Sequence, residues 1–82
     1  MDLITEVLTR HINDPENYAV IVYAIKKAAE KEGLQAYVNG STVHFRATPG
    51  QINTAGAHGE SGREIVLERA LEELRYEHSE LF

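Results

Sequence analysis

The sequence predicts a small α+β domain spanning 1–82, ordered helix, helix, β-hairpin, long glycine-rich loop, helix, and completed by oligomerisation. Three observations predict it. Apolar residues recur at helical spacing near both ends of the chain. Asn39-Gly40 lies between two alternating segments, a hairpin signal. The stretch 48–62, TPGQINTAGAHGESG, holds four of the six glycines and reads as a connection without structure of its own.

The first helix is expected from about Leu3 to Ile12. Leu3, Ile4, Val7, Leu8 and Ile12 share a face, and Asp2 stands where an N-cap belongs. Asn13-Asp14-Pro15 ends it and opens the next. Asp14 is a good cap, and proline suits the first helical position because its missing N–H would be unpaired there anyway.

The run YAVIVYAI, Tyr18 to Ile25, is apolar enough to be a buried strand. The Asp-Pro start, the alanines and the unbroken passage into KKAAEKE favour a helix, with Gly33 as its left-handed terminator and Leu34 packing back. Tyr18, Ile21, Val22, Ile25, Ala28 and Ala29 form one stripe. Val20, Tyr23 and Ala24 then face the other way, and a helix apolar all round must be covered all round. With no cysteine to staple so short a chain, a partner subunit is the expected cover, as a homodimer or larger assembly.

In the hairpin, a two-residue Asn39-Gly40 turn would pair Val38 with Ser41, Ala36 with Val43 and Leu34 with Phe45. Leu34, Ala36, Val38, Val43 and Phe45 then face inward, and Gln35, Tyr37, Thr42, His44 and Arg46 outward. Two strands leave open edges, so a third is expected from another subunit or from about Gln51 to Thr54.

The last helix is expected from about Gly62 to His78, started by a Ser61–Glu64 capping box. Val66, Leu67, Ala70, Leu71, Leu74 and Leu81 line one face.

Charge narrows the function. The chain carries −5, and seven glutamates oppose three arginines from Glu60 to Phe82. Direct nucleic-acid binding is not expected, because backbone capture needs clustered Lys and Arg. No apolar run approaches the roughly 20 residues that span a bilayer, and the N-terminus lacks a basic signal-peptide start. The expectation is a cytoplasmic protein.

A glycine-rich segment leading into a helix N-terminus has the physics of an anion site, since free N–H groups and the helix dipole favour negative charge. Gln51, Asn53, Thr54, His58 and Ser61 would donate, Gly56 and Gly59 would allow close backbone approach, and Arg46 and Arg63 would supply charge. Tyr37 or His44 would stack on a base. The ligand expected is a nucleotide or phosphorylated metabolite, although neither GxxxxGK[ST] nor GxGxxG occurs. The alternative is a small acidic inhibitor or adaptor of phage type, binding a basic surface through Glu64, Glu68 and Glu72 of the last helix.

Catalytic chemistry has less support. His11, His44, His58 and His78 fall on four different elements, without an i, i+4 pair or HExxH, so neither a metal nor another cofactor is expected. Ser41 is a turn residue and Ser61 a cap, and neither has the setting of a nucleophile. No enzyme is assigned.

Overall fold

The computed structural model describes the backbone of residues 2–47 and 52–82 and the side chains of residues 2–46 and 62–82. The elements are α1 (Leu3–His11), α2 (Pro15–Lys31), β1 (Leu34–Asn39), β2 (Thr42–Ala47) and α3 (Ile52–Glu77), followed by a 3-10 turn at Ser79–Leu81. The α+β class and the order helix, helix, hairpin, helix agree with the sequence.

Both early helices start where their side chains cap them. The Asp2 carboxylate accepts the Thr5 N–H at 3.0 Å, and the Asp14 carboxylate accepts that of Asn17 at 3.3 Å. The apolar run after Tyr18 is helical, so the Asp-Pro start prevailed over its strand-like composition. Gly33, at φ 72°, takes the left-handed conformation that lets the chain leave α2 and enter β1. Ala24 departs from the sequence reading. It is buried rather than left for a partner, because α3 runs past it and Leu74 lines the same groove. Tyr23 does stay outside, 66% exposed.

In the hairpin each β1 residue pairs two residues further along β2 than expected. Asn39 pairs with Thr42, Val38 with Val43, Tyr37 with His44, Ala36 with Phe45, Gln35 with Arg46 and Leu34 with Ala47. The turn is therefore Gly40-Ser41. Only Gly40 has positive φ, at 61°, which is the type II′ arrangement with glycine first. Tertiary contact supplies the reason. The Tyr18 hydroxyl donates to the Gly40 carbonyl at 2.6 Å, and Ile12 Cδ1 lies 3.8 Å from where a Gly40 Cβ would stand. A shift of two residues along the partner strand preserves which side chains face inward, so Leu34, Ala36 and Val43 are buried as expected.

Residues 52–62 also differ from their expected conformation. The loop expected there gives way to helix at Ile52, so Asn53, Thr54, Gly56, His58, Gly59 and Ser61 are helical in backbone, while 48–51 lie outside the described residues. Ile52 to Thr54 therefore contribute no third strand, and the Ser61–Glu64 capping box falls inside a continuing helix. Extending a helix forms one hydrogen bond per residue fixed, whereas restarting one repeats a costly nucleation. Glycine opposes that extension by only about 1 kcal/mol per residue relative to alanine. No proline occurs after Pro49 to stop it.

The core is one cluster drawn from all elements. Ile4, Leu8, Ile21, Ile25, Val66 and Leu74 are among its fully buried side chains. The C-terminal turn is drawn in through Leu81, and His11 fastens it. His11 Nε2–H donates to the Leu81 carbonyl at 2.8 Å while Nδ1 accepts from the Asn17 amide at 3.4 Å. One imidazole thus ties the end of α1, the first turn of α2 and the C-terminus.

Candidate functional site

The residues nominated from sequence fall into three groups. Tyr37, His44 and Arg46 share the solvent face of the hairpin, as the alternation of the strands requires. The Arg46 guanidinium lies 5.3 Å from the Tyr37 ring centroid, and the Tyr37 hydroxyl donates to Gln35 Oε1 at 3.1 Å. Arg46 has no carboxylate partner among the described residues.

Gln51 and the side chains of Asn53, Thr54, His58 and Ser61 lie outside the described residues, as do the surroundings of Gly56 and Gly59. Arg63 is described, and it is not beside Arg46. It stacks on Phe45, 5.8 Å from the ring centroid, and Phe45 belongs to the inward set of the hairpin. The two arginines grouped by sequence proximity to the loop therefore serve opposite faces of β2.

The third group is the acidic row on α3. Glu64, Glu68 and Glu72 succeed one another at four-residue spacing and are all exposed. None is in an ion pair among the described residues. Glu64 and Glu68 rim a groove of about 450 Å³ between α3 and the start of α1. Leu3, Ile4, Leu67 and Leu71 supply its apolar lining, and Asp2 and Arg63 its remaining charges. Hydrogen bonds to Thr5 hold the Asp2 carboxyl below the usual carboxylate range, and the nearby positive charge of Arg63 adds to this. Asp2 is already engaged as a cap through Thr5, whereas Glu64 and Glu68 are in no ion pair among the described residues.

Sequence reasoning finds the glutamates but not the groove. It places Asp2 as a cap and Leu3 and Ile4 in a core stripe, and no local pattern joins residues 2–4 to residues 63–71. That juxtaposition depends on how α1 and α3 cross.

The remaining histidines are dispersed. His44 is on the outer hairpin face, and His78 Nδ1 lies 3.5 Å from Glu80 Oε1. Among the described residues no group of three His, Cys, Asp or Glu side chains gathers as a metal site would. No helix there is long and apolar enough to cross a membrane. No protein-family model matches the sequence, and neither a curated protein nor a solved structure gives a match.

Proposed function

We propose that the protein is a non-enzymatic binding module whose target is a basic, amphipathic segment of another protein, received along α3. The observation that carries this reading is the groove beside α1, where Glu64 and Glu68, in no ion pair among the described residues, stand over an apolar lining. Apolar side chains of a partner helix would be covered by Leu3, Ile4, Leu67 and Leu71, and its lysines or arginines would meet the glutamates. Glu72 extends the acidic row beyond the groove, which suits steering of a basic surface from a distance. An inhibitor or adaptor acts in this way, by occupying a surface rather than transforming a substrate.

The test uses a helical Leu/Lys peptide of about four turns, with a Leu/Glu peptide of the same pattern as control. The parent should bind the basic peptide with an affinity that falls as salt rises, and ignore the acidic one. Glu64→Lys with Glu68→Lys should weaken binding roughly ten-fold or more, since two attractive contacts become repulsive. Equal binding by parent and variant, or no binding by the parent, overturns the reading.

A second reading rests on a different observation, the exposed Arg46 guanidinium over Tyr37 with His44 directly across the ladder. This trio fits a small anionic ligand that carries a ring, a nucleotide above all, with Arg46 on phosphate and Tyr37 or His44 against the base. Stabilisation by a nucleotide in a thermal-shift screen, lost in Arg46→Ala, would select this reading over the first. At 100 times the dissociation constant the parent should gain about 2.7 kcal/mol.

A further inference from the structure

The groove beside α1 continues along α3. Glu68 and Leu71 also line a second groove, of about 300 Å³, whose other walls are Glu72 and Arg75. Residues four apart on a helix fall in rows, and two adjacent rows line the combined groove. One is Arg63, Leu67, Leu71 and Arg75, and the other is Glu64, Glu68 and Glu72.

The apolar row is therefore two leucines long and closed by an arginine at each end. At 1.5 Å of rise per residue the arginines stand about 18 Å apart, and the glutamate row spans about 12 Å. All five charged side chains are exposed. None is in an ion pair among the described residues. Rings support the arginines instead: the Arg63 guanidinium lies 5.8 Å from the Phe45 ring centroid, and that of Arg75 lies 5.6 Å from the Phe82 centroid. A guanidinium set over a ring still presents its in-plane N–H donors, which suit a carboxylate.

We infer that the partner helix carries the matching order of charges. It has two apolar residues four apart, an acidic residue one turn beyond each of them, and basic residues in the adjoining row. This rests on the docking reading of the α1 groove and adds to it the order of the partner's side chains. The apolar pair covers Leu67 and Leu71, the basic row meets Glu64, Glu68 and Glu72, and the acidic ends meet Arg63 and Arg75. A helix basic along its whole length would set two cations against the arginines, so the groove selects by repulsion as well as attraction. A second copy of α3 offers the reverse order, with arginine at the ends and glutamate in the adjoining row.

Two helical peptides test the inference. Both keep the central leucines and the lysine row, and they differ only at the two end positions, glutamate in one and lysine in the other. The glutamate-ended peptide should bind the parent roughly three- to ten-fold more tightly. Attraction to a chain of net charge −5 would by itself favour the lysine-ended peptide, so the order of affinities is the readout. Arg75→Glu, shown by circular dichroism to be folded, should remove or reverse the preference. Equal affinities in the parent, or tighter binding of the lysine-ended peptide, overturn the inference and leave the docking groove standing. A preference that survives in Arg75→Glu overturns it too. Binding of neither peptide overturns both the inference and the reading it rests on. A parent that is dimeric by light scattering, and that either peptide dissociates, puts a second copy in the groove and overturns the assignment of a partner helix.

Discussion

The two long helices are packed along each other, yet their limits have different origins. At α2 every boundary residue is a local instruction: Asp14 caps, Pro15 starts and Gly33 ends. At α3 the local instructions are overridden. A good capping box at Ser61–Glu64 lies in mid-helix, and Gly56, Gly59 and Gly62 sit in the helix without ending it. The difference teaches what kind of signal is binding. Proline lacks the N–H and clashes with the preceding turn, so it forbids; glycine and a potential cap only disfavour. A cap also has value only where N–H groups would otherwise be orphaned, and inside a continuing helix they are not.

The helices also differ in what holds them. α2 is buried along most of its length, by Ile21, Ala24, Ile25, Ala28 and Ala29. Among the described side chains of α3, the buried apolar ones are Val66, Leu67, Ala70 and Leu74. Ile25 and Leu74 are both fully buried members of the one core cluster. Ile25→Ala and Leu74→Ala should therefore each cost about 2–5 kcal/mol, a large share of the roughly 5–15 kcal/mol expected for a domain. Urea denaturation followed by circular dichroism should show one lowered transition in both variants. A second transition confined to Leu74→Ala would mean that α3 is not one cooperative unit with α2.

The hairpin sharpens the same contrast between local and tertiary control. Which side chains face inward is legible, because alternation from Leu34 to Arg46 leaves only one apolar face. The turn is not, because Asn-Gly describes a local preference and the choice is settled by Tyr18 and Ile12, far away in sequence. The observed register makes a prediction that separates the two turns. Gly40→Ala should cost about 1–2 kcal/mol, the usual strain of a side chain in the left-handed region. Asn39→Ala should cost no more than about 0.5 kcal/mol, since Asn39 is an exposed strand residue here. A large loss at Asn39 would instead support the Asn39-Gly40 turn, where both positions need positive φ.

The candidate sites divide in the same way. The acidic row on α3 and the polar face of the hairpin are readable, because each is a periodicity within one element. The α1–α3 groove and the separation of Arg46 from Arg63 are not, because each depends on how two elements cross. Residues 52–62 depart from their loop reading for a related reason. Composition records that glycine is common there, while the backbone conformation depends on the helix downstream. Residues Glu64 to Leu74 form a strong helix whose packing is already secured by Val66 and Leu74. Extension backward from it needs only that nothing forbid the step.

A continuous α3 has a small and decisive consequence at Gly56 and Gly59. In a helix interior glycine is less favourable than alanine by about 0.5–1 kcal/mol, because it gives up more backbone freedom on folding. Gly56→Ala and Gly59→Ala should therefore each stabilise the protein by up to that amount. In a loop needing positive φ the same changes should destabilise it, and in an unconstrained loop their effect should be near zero. The sign is thus the readout. Urea denaturation gives it directly, and hydrogen exchange on the amides of residues 56–61 supplies a second measure, since helical amides gain protection when the helix is stabilised. Gly62→Ala is the useful companion, because Gly62 is buried and a methyl there must also find space. Gains at Gly56 and Gly59 would establish α3 as one continuous helix from Ile52. Losses at both would return the segment to a loop and revive the capping box at Ser61 as the helix start.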